Sequence, residues 1–429
     1  MLDTILSLLK EADVTAWEVT DEKTSGWEFY FIRHALDQNR AKDVEHITVK
    51  VYQLIEDGAY LGSAGAEIPP TASEEEARAL IRDLAARAAL VKNKPYTLQP
   101  AGPAHREALP QAAVDVPAIA GEFLRTMDSL PETATEDLNS YEIFVSQVTR
   151  RFITSQGIDV TQTFPSSFLE AVVNARKDGH EIELYRNYRS GTCDAAGLKA
   201  DLTRTMQYGK DRLTTSPTPA LGTADVLFST RDAVAIYDYF VDRLDPQMIV
   251  RQMSDWKLGE PIAEGIRGDR VTVKAVRELE NSSANLAFDA QGAPIHDTVM
   301  MENSVPKAFL GGRMFSCYLG LEDSFMPTNI VAEGGSATEA ELRAGKYLEI
   351  VEFSDFQVDA MTGDIFGEIR LGYLHDGASV TPVSGGSVSG SMRELVKDMR
   401  LSRETVQYDR YRIPAVTLLK NVTVTGIGE

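Results

Sequence analysis

Six histidines and two cysteines are the side chains of this 429-residue sequence best suited to hold a transition metal or to attack a substrate. A helical zinc-peptidase site needs two imidazoles on neighbouring turns, and a glutamate that takes the proton from metal-bound water. His34, His46, His105, His180, His296 and His375 offer no two members spaced to share a helix. His180-Glu181 opens like such a motif, but positions 184 and 185 are Leu and Tyr. The segment also alternates like a strand, so the pair reads as strand surface.

Nucleophile arrangements are equally thin. Gly386-Ser387-Val388-Ser389-Gly390 nearly mimics the Gly-x-Ser-x-Gly elbow of the hydrolases, with the wrong spacing and without the strand–elbow–helix context. Cys193 sits in a loop-like Ser190–Asp194 stretch with only Arg189 close by, too little positive charge to activate a thiolate. Cys317, among Phe315, Tyr318 and Leu319, reads as packed. Gly311-Gly312 and Gly334-Gly335 lack the Lys-Ser/Thr that a phosphate loop carries. Asp289 and Asp364 are the carboxylates a motif-free metal site would use, although such residues are more often turn formers. The tyrosine- and arginine-bearing stretches Tyr185–Arg189 and Tyr408–Arg412 could stack on nucleic acid, but read as solvated surface given the acidic balance. The expectation is a chain with no catalytic, cofactor-binding or metal-ligating residue of its own.

The balance of 64 acidic against 43 basic residues gives a formal charge of -21. No dense Lys/Arg cluster is present to neutralise phosphates, which argues against direct nucleic-acid binding. The acidity serves solubility; attraction of basic peptides is the weaker alternative. Two cysteines make no disulfide framework. The start of the sequence carries no basic, apolar and small-residue signal pattern, and the apolar runs fall short of the roughly 20 residues that span a bilayer. The expectation is a cytoplasmic protein with no membrane contact.

The elements that would position any site divide into two groups, which predicts an α+β fold in two domains, residues 1–222 and 223–429. The first is a mixed domain with an antiparallel sheet. Leu2, Ile5, Leu8 and Leu9 share a helix face, and Trp27–Ile32 and Ile47–Ile55 read as strands. Glu56-Asp57-Gly58 is a hairpin turn whose return strand stops at Pro69-Pro70. Ser73 and Glu76 form a capping box ahead of a helix carrying Ala77, Leu80, Ile81, Leu84, Ala88 and Val91 at helical spacing. Residues 95–117 read as a long loop, followed by a helix to about Leu130. Strands over Ile143–Thr154, with a bulge near 143–148, Ser167–Arg176 and His180–Tyr188 precede a helix over Ala195–Leu213. Thr214–Pro219 reads as a linker.

The second group is β-rich. A strand at Ala224–Phe228 leads into a helix capped by Ser229 and Asp232, with Val234, Tyr237, Val241 and Leu244 facing the core. Strands follow at Val271–Val276, Tyr347–Phe353, Glu368–Leu374 and Ala415–Thr425, with a short helix over Met392–Met399.

Four segments in this half carry a resemblance. They are Leu286–Pro294 with its Asp289-Ala290-Gln291-Gly292 turn, Met361–Gly367 with Gly372–Gly377, Pro382-Val383 with Val388-Ser389-Gly390, and Pro414–Val416 leading to Val424–Gly426. In that order and spacing the chain resembles the TldD/TldE family, also called PmbA or modulator of DNA gyrase. Catalytic TldD-like members of that family carry His-Glu-x-x-x-His at the start of the second domain's first helix, and a late cysteine. Here the matching helix, Ser229–Leu244, lies in the histidine-free stretch between His180 and His296, and no cysteine follows Cys317. The resemblance is therefore to the TldE-like branch. It implies a non-catalytic subunit, with zinc in a TldD-like heterodimer partner, enclosing a chamber that trims unfolded or short peptides such as leader peptides and labile antitoxins. The alternative is a homodimeric, non-catalytic peptide-binding or regulatory protein.

Overall fold

The structure, a computed structural model, describes residues 1–107, 109 and 114–427. Helix α1 (Leu2–Glu11) buries the expected Ile5, Leu8 and Leu9. Behind it β1 (Ala16–Ile32), β2 (Ala35–Ile55) and β3 (Tyr60–Ile68) form a meander. Its β2–β3 turn takes positive φ at Glu56, Asp57 and Gly58, as a tight hairpin requires. Helix α2 (Glu74–Ala88) starts on the expected capping box: Ser73 N–H donates to Glu76 at 2.7 Å, and Glu76 N–H donates back to Ser73 Oγ at 3.2 Å. After α3 (Val116–Asp128), strands β4 (Glu136–Thr154), β5 (Asp159–Lys177) and β6 (His180–Ser190) complete an antiparallel sheet of order β3-β2-β1-β4-β5-β6. Helix α4 (Ala195–Arg212) packs back onto β5.

One face of this sheet is covered. Val19, Val49 and Ile153 meet α1 and α2, while Ile143, Val145 and Leu169 meet α3 and α4. Each such fully buried aliphatic side chain contributes roughly 1.5–3 kcal/mol relative to exposure. The opposite face carries Glu22, Glu28, Tyr30, Phe144 and Phe168, since neighbours along a strand point to opposite sides.

Four expectations need correction here. β1 and β2 begin about a dozen residues before Trp27 and Ile47. The early part of β1, with Ala16, Trp17 and Val19 buried, already pairs with β2 and, from Glu18, with β4. Residues 35–46 of β2, by contrast, form an exposed, charged overhang in which pairing to β1 replaces burial. No bulge lies at 143–148. The register to β5 shifts instead between Leu138 and Ser140. The alternation breaks because Ile143 and Val145 face the helices, whereas Val148 sits on the other face opposite Phe164. The 95–117 loop contains a 3-10 turn at Pro103–Arg106, and residues 108 and 110–113 of it lie outside the described residues. The 214–219 segment is no free tether. Its Ser216–Pro217 strand β7 pairs with residues 383–384, and Thr218 is fully buried with its N–H on the Ser384 carbonyl at 3.0 Å.

The second half holds the remaining two sheets. Strands β8 (Gly222–Phe228), β9 (Val273–Val276), β10 (Thr298–Glu302), β11 (Val305–Pro306) and β12 (Asn329–Ala332) come first in the chain. They are followed by β13 (Tyr347–Val358), β14 (Asp364–His375), β15 (Val380–Ser384) and β16 (Ser387–Ser391), then β17 (Arg400–Leu401), β18 (Thr405–Tyr408), β19 (Tyr411–Pro414) and β20 (Thr417–Thr425). One sheet has the order β11-β10-β9-β12-β19-β18, the other β13-β8-β20-β16-β14-β15-β7. The chain changes sheets at Ala415–Val416, so the expected single strand over 415–425 begins at Thr417. Helix α5 (Val234–Arg243) lies in the core these sheets enclose. The fold is α+β and mostly β, and among the described residues no helix is long and apolar enough to cross a membrane.

Candidate functional site

The apolar run Val226-Leu227-Phe228 ends β8 fully buried between β13 and β20, and delivers the chain to α5. A 3-10 turn over Arg231–Ala233 opens the helix. Ser229 and Asp232 do not cap it. The Ser229 hydroxyl donates instead to Glu349 on β13, and the helix start has no side-chain cap. Ile236, Tyr237, Tyr239, Phe240 and Leu244 are buried, whereas the expected core residues Val234 and Val241 are half-buried. The helix is pinned by two polar contacts. Tyr237 shares a hydrogen bond of 2.7 Å with Thr417, and the fully buried Arg243 donates to the carbonyls of Ala360 and Met361 at 2.8 and 3.1 Å while pairing with Asp255. A buried guanidinium persists only when its charge is paired and its N–H groups largely bonded. In Arg243 the two terminal nitrogens are engaged, and Nε is without a partner among the described residues.

That anchoring fixes a cleft of about 340 Å³ at the start of α5. Arg231, Asp232, Val234 and Ala235 form one wall, Tyr408 and Tyr411 another, and Asn187 and Phe356 close it from β6 and β13. The Arg231 guanidinium donates to the Asn187 main-chain carbonyl and, at 3.1 Å, to its side-chain oxygen. It also lies 5.6 Å from the Tyr188 ring centroid. Burial pushes the Asp232 carboxyl up, against the pull of Arg186 and Arg231. Behind it the Tyr411 hydroxyl donates to Asp238, whose carboxyl is likewise raised by burial. Asp242, one turn on, is pushed up to about 6 by burial and by Asp238 and Asp245.

Zinc in a catalytic site takes three protein donors, imidazole first among them. The cleft wall presents a guanidinium, which repels a cation, and carboxyls whose surroundings favour the protonated form. The residues at the start of α5 do not fit zinc. Among the described residues, no group of three or more His, Cys, Asp or Glu side chains is placed to hold a metal ion.

The structure scatters most residues that could carry chemistry. His180 is exposed beside the β5–β6 turn, and His46 and His296 are exposed and bonded to Glu67 at 2.8 Å and Asp323 at 3.0 Å. His34 is half-buried in the β1–β2 turn. His105 accepts from Gly102 N–H at 2.9 Å and stacks on Phe288. His375 stacks on Tyr347, and burial lowers its pKa. The Cys193 thiol packs beside α3 and α4 and is pushed up to about 11 by burial, the reverse of activation. Cys317 is half-buried with its sulfur 3.5 Å from the Thr97 carbonyl.

Asp289 is a turn former. Its carboxylate accepts the N–H groups of Gln291, Ala293 and Met326 at 2.8, 2.9 and 2.8 Å. Asp364 is exposed at the start of β14. Gly386–Gly390 is the edge and body of β16, paired with β14 and β20, and not an elbow. The two tyrosine- and arginine-bearing stretches, by contrast, converge: Asn187 of one and Tyr408 and Tyr411 of the other line the same cleft.

Sequence reasoning missed Phe356 and the Asp238–Asp242 pair. The latter had a signal, since two carboxylates four residues apart on an apolar helix share a face. Phe356 had none, because its strand bends through a register shift between Phe353 and Phe356.

Residues 221–426 match the family model of the PmbA/TldA metallopeptidase C-terminal domain. A protein of Methanothermobacter thermautotrophicus named "Metalloprotease" is 24% identical over 277 residues, which is 58% of this chain and 58% of that protein. The match thus spans less than two thirds of that relative. The solved structure of TldE from Thermococcus kodakarensis superposes with a TM-score of 0.78 at 15% identity, covering 99% of this chain and all of that one. A candidate modulator of a DNA gyrase from Thermotoga maritima gives 0.77 at 16% identity, over 99% of each chain. At such identity these two likenesses concern the fold.

Proposed function

We propose that this chain, a member of the PmbA/TldD family through residues 221–426, is a TldE-like subunit that binds no zinc itself and completes the peptide chamber of a zinc-bearing TldD-like partner. The observation that carries this reading is the start of α5. Arg231, Asp232, Val234 and Ala235 face the cleft there, where the catalytic branch would place imidazoles and a glutamate. The other groups in the cleft serve shape and hydrogen bonding: two tyrosine hydroxyls held protonated by burial, a guanidinium fixed on a carbonyl, and an aromatic ring. Such a surface can hold an extended peptide and offers no imidazole to seat a water-activating zinc. On this reading the substrates are unfolded or short peptides, such as leader peptides and labile antitoxins, and the complex works in the cytoplasm.

The test is to purify the chain alone and together with a homologue bearing His-Glu-x-x-x-His, then to measure bound zinc and cleavage of an unfolded peptide. The expected result is zinc and chelator-sensitive cleavage in the mixed complex only. One tightly held zinc per isolated chain, with cleavage lost on stripping it, would sink the reading. A stable homodimer indifferent to the homologue would favour the regulatory alternative.

A further inference from the structure

We propose that the helix-free face of the six-stranded sheet is a docking track for extended peptides bearing lysine or arginine, centred on Phe144. This deepens the subunit reading by naming the class of peptide. Docking stands without that reading, and only delivery of the docked peptide to a catalytic partner rests on it.

Three rings cross the strands on this face. Phe144 stands opposite Phe168 in register, with centroids 6.0 Å apart, and Tyr30 meets Phe144 edge-on at 5.7 Å. The outer two rings already carry the chain's own cations. Arg40 lies 4.5 Å over Tyr30, and Arg189 lies 4.5 Å over Phe168. Among the described residues no cation lies over Phe144. A ring whose two neighbours both accept guanidinium groups presents the same negative π-face to an incoming cation.

Carboxylates surround that vacant ring. Glu28 is opposite Phe144 on β1, and Glu142 lies two residues before it on the same face, opposite Glu170 on β5. Glu28 accepts from the Tyr30 hydroxyl at 3.0 Å and pairs with Arg40 at 3.8 Å, and Glu170 accepts from the Tyr185 hydroxyl at 2.6 Å. Glu142 makes no hydrogen bond or ion pair among the described residues, and burial, with Glu170 and then Glu28 nearby, pushes its carboxyl up against the pull of Arg40. A lysine ammonium or arginine guanidinium placed between Phe144 and Glu142 would give Glu142 the direct ion-pair partner it lacks among the described residues, Arg40 acting on it only from farther off.

The track also leads somewhere. Glu170 pairs with Asn187, which lines the α5 cleft and accepts from Arg231. A chain stretched across Phe144 toward β6 therefore arrives at the cleft. The overall charge of -21 would steer basic segments toward the molecule before any contact forms.

The test uses the full chain and fluorescein-labelled 12-residue peptides of alternating lysine and serine, read by fluorescence anisotropy. Controls replace lysine with Nε-acetyl-lysine or with glutamate. The lysine peptide is expected to bind, the controls are not, and binding should weaken as salt is raised. Phe144→Leu, which keeps apolar bulk, and Glu142→Gln should each weaken binding by about twofold to fivefold, the size of an exposed cation–π contact. Equal binding of the acetylated peptide, or binding indifferent to both substitutions, would overturn the proposal. So would a dimer that Glu142→Lys dissociates while the parent ignores the lysine peptide, since the face would then serve self-association. No partner or zinc enters this measurement, so its failure is separable from failure of the subunit reading.

Discussion

Arg186 on β6 and Glu352 on β13 form an ion pair across the seam between the six-stranded sheet and the second half, with 15% and 10% of their side chains exposed. Close to it the Asn187 carbonyl holds Arg231. At the far end of the seam the Gln162 amide donates to the Phe288 carbonyl at 3.0 Å, and Gln162 accepts the Ala287 N–H at 3.0 Å. The seam is thus held by oriented polar contacts at both ends, which fix β6 against the start of α5 and so give the cleft its shape.

Replacing one partner of that pair leaves the other charge buried without compensation. Arg186→Met is expected to destabilise the protein by about 3 kcal/mol. The double variant Arg186→Met/Glu352→Met should recover most of the loss, because it removes both charges. Thermal unfolding of the two variants beside the parent checks this. A double variant no better than the single one would mean that the pair contributes through packing alone.

Asp289 decides between a turn former and a metal ligand. Asp289→Ala strands three buried or half-buried N–H groups, and the expected cost is roughly 3 kcal/mol or more. Chelator should leave the melting temperature of the parent unchanged. A chelator-induced drop that Asp289→Ala abolishes would restore the carboxylate-metal reading.

Asp242 gives the stability curve a pH slope. Its carboxyl, pushed up to about 6, holds a proton more tightly in the folded chain than in the unfolded one, where aspartate titrates near 4. The stability from this group is therefore complete below about pH 4 and is lost as pH rises through 6. Asp242→Asn should leave the pH 4 unfolding midpoint unchanged and raise the one at pH 7. Solvent reaches this side chain, which holds the gain to about 0.5–1 kcal/mol. Urea titrations at both pH values read the difference.

The sequence was most legible where local chemistry and packing agree. The Ser73–Glu76 box, the Glu56-Asp57-Gly58 turn and the Ile5–Leu8–Leu9 face each form as their spacing predicts. It was least legible where pairing alone stabilises a strand. Residues 35–46 are exposed and charged, so no apolar alternation announces them. The helix start misled for another reason. Ser229 has the type of a cap, but a buried carboxylate on β13 competes for its hydroxyl, and the sequence places Glu349 far away at 120 residues' distance. The cleft joins positions 187, 231, 356 and 408, a convergence that only the sheet order creates.

Cys193 offers a probe of how firmly α3 and α4 are seated. Its thiol, pushed up to about 11 by burial, has a thiolate fraction at pH 8 roughly two hundredfold below that of a free cysteine titrating near 8.5. Alkylation by iodoacetamide should accordingly be slower at Cys193 than in the unfolded chain by about two orders of magnitude or more, since burial also limits access. Peptide mapping by mass spectrometry over time separates Cys193 from Cys317. Met127→Ala, which removes a fully buried α3 side chain of the same cluster, should speed labelling of Cys193 and leave the rate at Cys317 unchanged. Equal acceleration at both thiols would mean that the substitution opens the whole chain and not the α3–α4 layer.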